Sequence, residues 1–515
     1  MASHKNMAST LPRIFSIENV LAAHPGVSDA VVINTGTSIS AYVVPNDDYL
    51  DNTLGRKEAE TTALRTWRKT YDLTQFAKDA ASAPVGFNTL GWNSTYTRQP
   101  IPAGEMREWL QTTIAEITAL APKTVYEIAC GTGMLLMQIA PTCDRYVAID
   151  FSRAVLQRLR KQLETVPAVA EHVEVIERTA DDFTGIESNS FDIVIINSAA
   201  HYFPQVAYLT RVVENAVNIV KPGGHVFVGD VRSLPLLPAF ASSVELFQSP
   251  DSRSIGELRE LIEKRIQTEQ QLVLSPAYFL SLQGRLPKVS RVEIRPRWGR
   301  MNNEMSLYRY DAILHVGDRT DVAQDIQFLD WTEGKLTLDD IRSMVLGQDG
   351  VIGIKRIRNA RLEKDIRAFE SLRTLAPAHT AGELRRECEH HSIRGIHPQD
   401  LADVFKPNSG FRVLLSWAAS REDGSYDAVF IPAGNKHDRS CVVGNWPGPD
   451  AAHFVNLANS PGQTKIRTEL LDRILTHCKE SLPEHLTPGD FTFVEMLPKS
   501  EGGAIDPGDL PFTDR

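Results

Sequence analysis

The stretch Val125-Tyr-Glu-Ile-Ala-Cys-Gly-Thr-Gly133 constrains this chain more than any other. An apolar run over Thr124 to Ile128 predicts a buried strand. The Gly-Thr-Gly turn follows, and apolar Met134 to Ala140 predicts a helix. A strand, a glycine turn and a helix make the first βα turn of a doubly wound sheet, where ligands sit at the carboxyl ends of strands. Gly131 and Gly133 let backbone approach a nucleoside closely, because no Cβ stands in the way. A dinucleotide turn wants a third Gly or an Ala where Leu136 stands. The acid instead precedes the glycines, at Glu127.

The pattern E-x-x-x-G-x-G resembles the first motif of class I S-adenosylmethionine (SAM) methyltransferases. That resemblance implies a Rossmann-like α/β fold with a seven-stranded, mostly parallel sheet, and SAM as cofactor. Further strands are expected over Tyr146–Asp150, Val173–Glu177, Asp192–Asn197, His225–Asp230, Val289–Arg295 and Tyr310–Val316. Lys221-Pro-Gly-Gly224 reads as a helix stop. Asp150 ends the second strand about 20 residues beyond the turn's start, where an acid accepts from both ribose hydroxyls.

A chain of 515 residues predicts several domains. Its net charge of −10 argues against nucleic acid or an anionic membrane as partner. No apolar run is long enough to span a bilayer, and Met1 to Arg13 has no signal-peptide core. Five scattered cysteines suggest reduced thiols and a cytoplasmic setting. Cys388-Glu-His-His391 with His397 fits no standard zinc spacing, and His390-His391 lacks the Asp of a condensation motif. No metal is expected.

Both ends of the chain resemble the C-terminal subdomain of adenylate-forming enzymes, with nonribosomal peptide synthetase adenylation domains as the nearest family. Ile17-Glu-Asn-Val-Leu21, His24-Pro-Gly-Val27 and Ala41-Tyr-Val-Val-Pro45 carry it at the start. Leu482-Pro-Glu-His-Leu-Thr-Pro488, Phe491-Thr-Phe-Val494 and Leu497-Pro-Lys-Ser-Glu-Gly-Gly-Ala-Ile-Asp506 carry it at the end. The family's adenylating lysine falls on Ala504, and a methyl group cannot stabilise developing charge. The large adenylating core has no counterpart. Residues 1–50 and 400–515, including expected strands at Phe411–Trp417 and Tyr426–Ile431, are therefore read as two parts of one degenerate α+β subdomain. Between them lie a lid and N-terminal helices (51–120), a methyltransferase core (121–318) and a linker with helices (319–399). This resembles the methyltransferase domain that some peptide synthetases carry inserted in that subdomain.

The resemblance implies the site. Glu127, Ala129, Gly131, Gly133, Asp150, Phe151, Asp181, Asp182, Phe183 and Asn197 would bind cofactor, with either Asp181 or Asp182 on the adenine. Trp67 to Tyr71, Trp92 and Tyr96 fall in the lid; Trp92, Tyr96, Glu304 and Tyr310 are candidate substrate residues. Trp92 and Tyr96 read equally well as core anchors. Asn197-Ser-Ala-Ala-His-Tyr-Phe-Pro204 borders the transferred methyl and carries His201 where the family commonly has Gln. His201, Tyr202 and Arg232, from Gly229-Asp-Val-Arg-Ser-Leu-Pro235, are the catalytic candidates. A salt bridge to Asp230 is the plain alternative for Arg232, and packing without a chemical role is that for His201.

A carboxylate is ionised at neutral pH and needs donors; an amine needs a base. With no carrier serine motif, the expected acceptor is a free, small peptide-like acid, esterified on its carboxylate. This is similar to stand-alone fungal carboxyl O-methyltransferases of the fumaric acid amide type, encoded with small peptide synthetases. N-methylation of a free or carrier-bound amine, with His201 as base, and a catalytically dead docking module remain open. So do a homodimer and a functional link to a synthetase.

Overall fold

The computed structural model describes residues 17–34, 39–75, 84–317, 323–324, 326–334, 336–347, 350–405, 410–432, 442–443, 445–449, 456–459, 461, 464–494 and 497. Ala504 and the text from Pro498 onward lie outside them. The chain divides into two compact units, Met1–Thr66 with Pro449–Arg515, and Trp67–Gly448.

In the first unit, strand Ile39–Pro45 lies between antiparallel Val27–Asn34 and parallel Asp490–Phe493. Helix Thr464–Ser481 places Ile466, Leu470, Ile474 and Cys478 at helical spacing on one face. That face packs on Ile17, Leu21, Val27 and Val43. Leu470 and Ile474 are fully buried, and each such side chain stabilises by roughly 1.5–3 kcal/mol. Segments from opposite ends of the sequence thus share one core.

The second unit is built on a seven-stranded sheet. Its strands are β1 (Thr124–Ile128), β2 (Arg145–Asp150), β3 (Val173–Glu177), β4 (Phe191–Asn197), β5 (Val220–Arg232), β6 (Val289–Pro296) and β7 (Arg309–Val316). The order is β3-β2-β1-β4-β5-β7-β6, parallel except for β7, which runs antiparallel to both neighbours. This is the class I methyltransferase α/β fold. In β4, Ile193 to Ile196 are all fully buried, as a strand covered on both faces requires. The order reverses between β1 and β4, which opens a crevice at their carboxyl ends.

Two expectations about this region change. Lys221-Pro-Gly-Gly224 does not stand between helix and strand: helix Val206–Ile219 runs straight into β5, and Val220 pairs with Phe191 before the register shifts. The expected strands near 411 and 426 do not join the split unit. Phe411–Ser416 and Tyr426–Pro432 pair antiparallel, in a four-stranded sheet with Ile352–Ile357 and Phe328–Asp330. Tyr426, Ala428, Val429 and Phe430 are all fully buried in this second unit, which draws the strand there. The division therefore falls after Gly448, not near residue 400.

Candidate active site

The carboxyl ends of β1, β4 and β5 each carry a non-glycine residue in the left-handed region: Ala129 (φ 57°), Ser198 (φ 54°) and Asp230 (φ 60°). Such conformations cost on the order of 1–3 kcal/mol each and cluster at ligand sites. Three on adjacent strands single out this edge of the sheet as the candidate site.

After Ala129 the turn continues through Gly131 (φ 54°) and Gly133 (φ 78°). A Cβ on Gly133 would stand 2.5 Å from Leu159 Cδ1. Asp150, 3% exposed, ends β2 beside this loop. Its Oδ2 accepts from Gly131 N (3.0 Å) and its Oδ1 from Ser152 N (2.8 Å). Each carboxylate oxygen keeps a lone pair, enough for two hydroxyls. Burial raises its pKa to about 6, against the pull of those backbone donors. Ser152 caps helix Arg153–Glu164, and its hydroxyl also donates to Asp72. Asp72 lies on helix Arg56–Gln75, as does Trp67, whose ring meets Tyr202 edge-on at 4.8 Å.

Glu127, 4% exposed, accepts from Tyr146 OH at 2.8 Å. Burial drives its pKa up to about 8, so a nearby cation is needed to keep it ionised at neutral pH. Asn197 Oδ1 is buried without a hydrogen-bond donor among the described residues. On the far side, Asp181 accepts from Tyr208 OH (2.9 Å) and Asp182 from Thr184 N within its own turn (2.9 Å). Phe183 stacks on Tyr126 at 5.9 Å, and Phe151 is half-buried. The residues present fit SAM: one buried acid, Asp150, for the ribose, Glu127 and Asn197 Oδ1 as acceptors for the ammonium, and a turn whose Gly131 and Gly133 hold left-handed backbone.

At β4 and β5 the sequence candidates part company. His201 is 4% exposed, its Nδ1 is unpartnered among the described residues, and its ring lies 4.2 Å from that of Tyr202. Burial, then the Arg309 cation, hold its pKa well below the usual value. Tyr202 remains 42% exposed. Arg232 is not paired with Asp230. It donates to Glu269 Oε2 (2.8 Å) and Gln271 Oε1 (2.9 Å), and its guanidinium lies over Phe240.

Asp230 has a different partner, Arg309, which donates to its Oδ2 at 2.7 Å alongside Ser198 Oγ at 2.7 Å. Arg297 stands 3.8 Å from Oδ1 and is anchored by Asp311 (2.7 Å) and Thr113 (2.6 Å). Burial alone would raise the Asp230 pKa; the Arg309 and Arg297 guanidiniums, joined by the Ser198 hydroxyl and His201, offset it and bring it down to about 2. Asp230, Arg297 and Arg309 gather here. The Gly229-Asp-Val-Arg text brought Asp230 into the argument as a partner for Arg232, but not its pairing with Arg309.

The four substrate candidates are mostly engaged. Trp92 packs on Trp109 at 4.8 Å, as a core anchor. Glu304 is 7% exposed and binds Thr95 N and Oγ1 (2.8 and 2.9 Å). Tyr96 OH is bonded to Ser243 (2.8 Å). Tyr310 is a core residue, fully buried with its hydroxyl on Leu274 O (3.0 Å). Cys388 is buried, His390 bonds Arg386 O and His391 bonds Glu363. No helix among the described residues is long and apolar enough to cross a membrane.

Residues 126–226 match a family described as a methyltransferase domain. The chain is 34% identical over 520 aligned residues, 97% of its length, to chondramide synthase of Chondromyces crocatus. It is 29% identical over 96% of its length to a probable non-canonical nonribosomal peptide synthetase of Salinispora arenicola, and 27% over 95% to cyclosporin synthetase of Tolypocladium inflatum. It spans only 13%, 6% and 3% of those synthetases. A solved N-methyltransferase, NodS of Bradyrhizobium japonicum, aligns over 48% of this chain and 98% of its own at 14% identity and a TM-score of 0.29. At that level the sheet order, not the superposition, carries the fold. The order of the sheet, the family match over residues 126–226 and the similarity to the synthetases identify a SAM-dependent methyltransferase domain of the type associated with nonribosomal peptide synthetases.

Proposed function

We infer that the chain methylates the carboxylate of a small peptide-like acid, forming a methyl ester in peptide secondary metabolism. The observation that carries this reading is the setting of His201. It is buried, and the cations of Arg309 and Arg232 act on it against the single charge of Asp230. An imidazolium there is costly, so His201 is poorly suited to take a proton from an amine. A carboxylate has no proton to lose.

Bound SAM would supply an electrophilic methyl, held at Asp150, Glu127, Asn197 and the Gly131–Gly133 loop. The protein's part is to place a carboxylate oxygen in line with it. Neutral His201 and the Tyr202 hydroxyl can donate to the acceptor's second oxygen, and the Arg309 charge favours an anion beside them. Trp67 packs edge-on against the Tyr202 ring beside this position. The unit formed by residues 1–66 and 449–515 is read as a degenerate adenylation subdomain that supports the enzyme, on the resemblance at both chain ends.

One observation favours a second reading. Asn197 Oδ1 and Asp230 Oδ1 are buried acceptors without donors among the described residues, which would suit an N–H substrate, free or on a carrier protein. Incubation of candidate acids with SAM, followed by mass spectrometry before and after mild alkali, separates the two. An ester is hydrolysed; a product that survives alkali sinks the ester reading. Calorimetry with SAM addresses a third possibility, a docking module, which would bind none.

A further inference from the structure

Ser152 stands between two carboxylates. It is fully buried just after β2, and its N–H donates to Asp150 Oδ1 at 2.8 Å. Its hydroxyl oxygen accepts from Val155 N at 3.3 Å, as the cap of helix Arg153–Glu164. A hydroxyl has one proton to give, and Ser152 gives it to Asp72 Oδ1. Asp72 and Ser152 are 80 positions apart in the chain and belong to the same compact unit.

The direction of that proton matters for Asp150. Its carboxylate spends one lone pair on Gly131 N and one on Ser152 N, and the pairs that remain are those a ribose would use. Without Asp72, the Ser152 hydroxyl would have the Asp150 carboxylate as an acceptor within the same turn. A proton turned there competes with a ribose hydroxyl for a lone pair. Asp72 prevents this by taking the proton itself.

The charges nearby say which property of Asp72 counts. Arg68, about one turn earlier on the helix, and Arg153, next to Ser152, both donate to Glu177 (3.0 Å each). Burial first, and the Asp72 charge after it, raise the Asp150 pKa against its backbone donors. That repulsion works against an ionised Asp150. What the site gains from Asp72 is therefore a hydrogen-bond acceptor and not a charge.

We propose that Asp72 is a positioning residue of the cofactor site that acts through Ser152: by holding the Ser152 proton it keeps the Asp150 oxygens free for the ribose hydroxyls. The inference rests on Asp150 as the ribose acid and does not depend on the methyl acceptor.

The test is calorimetry of the full chain with S-adenosylhomocysteine. Asp72→Ala should weaken binding about tenfold. Its urea midpoint should stay near that of wild type, because Asp72 is a half-buried helix residue and alanine favours helix. Asp72→Asn keeps an oxygen that can take the proton and should recover most of the affinity. In a Ser152→Ala protein the Asp72→Ala change should have no further effect. Wild-type affinity in Asp72→Ala, an Asp72→Asn protein as weak as Asp72→Ala, or the full tenfold loss persisting in the Ser152→Ala background each overturns the proposal. Asp150→Ala, measured in the same series, tests the assignment beneath it. Wild-type affinity there removes Asp150 from the ribose, whereas weak binding by Asp150→Ala beside wild-type binding by Asp72→Ala defeats this inference alone.

Discussion

Arg309 Nη1 donates to Asp230 Oδ2 across 2.7 Å, joining β7 to the left-handed kink of β5. The pair sits beside His201, and its two charges set the electrostatics of the methyl-transfer edge. It also binds strain to charge. Asp230 holds an unfavourable backbone conformation because Ser198, Arg309 and the Asp230 N–H to Asp311 bond (2.7 Å) over-determine it.

Asp230→Asn keeps the shape and removes the charge. Arg309 and Arg297 are then left without their shared counter-ion, at a cost of about 3–5 kcal/mol. Urea unfolding should show that loss. Methyl transfer should fall further than SAM affinity, since Asp230 is held by Ser198, Arg309 and Asp311 beside His201 and takes no part in the Asp150–Gly131 contact. A variant of wild-type stability would remove the pair from this account.

Arg232 and Glu269 should behave as a unit. Their side chains are 11% and 15% exposed and 2.8 Å apart. Arg232→Met strands Glu269, whose pKa the guanidinium holds down despite burial. Adding Glu269→Gln should recover much of the stability, giving a coupling of roughly 1–3 kcal/mol in a double-mutant cycle. Additive losses would mean the pair is not what anchors Arg232.

Gly229→Ala tests the seat of Asn197. The new Cβ would lie 2.2 Å from Asn197 Oδ1 and 2.4 Å from Phe227 Cε1. Overpacking of this kind costs about 1–3 kcal/mol. S-adenosylhomocysteine affinity, measured by calorimetry, should drop about tenfold or more if Asn197 receives the ammonium. Unchanged affinity would place Asn197 outside the cofactor site.

Glu127 and Asp150 make the cofactor site pH-dependent. Burial raises their pKa values to about 8 and about 6. In the free protein both groups hold protons more tightly folded than unfolded. Their stabilising contribution is full below about pH 4 and is lost as pH rises through 6 and then 8. A cationic ligand reverses the preference, because it needs the ionised acids. SAM binding should therefore tighten from pH 6 to pH 8 with release of protons, and Glu127→Gln should flatten the upper part of that rise. Calorimetry in buffers of different ionisation enthalpy reads the proton count; a flat profile in wild type would contradict the assignment.

His201→Gln should raise KM for the acceptor while leaving the pH profile of kcat in place, since burial and the Arg309 cation both disfavour the protonated imidazole. A displaced acid limb would show that His201 takes a proton during turnover.

The glycine turn, Asp150 and the strand sequence around them were legible because each depends on local rules. A buried parallel strand needs a continuous apolar run, its exit needs residues that tolerate left-handed backbone, and the next strand end places an acid beside that exit. Asp150 meets Gly131 across only 19 positions of chain. The pairing of charges followed no such rule. Arg232 chose Glu269, 37 residues away, and Asp230 chose Arg309, 79 residues away. Arg297 reaches Thr113 over 184. Each choice was made by which elements the sheet order brought side by side, and by the cost of burying an ion unpaired. The sequence by itself determined the strands, the cofactor turn and the kind of chemistry. Tertiary structure alone decided which cations were spent on internal partners and that Phe411–Ser416 and Tyr426–Pro432 belong with Ile352–Ile357, because periodicity specifies an element's faces and only packing specifies what each face meets.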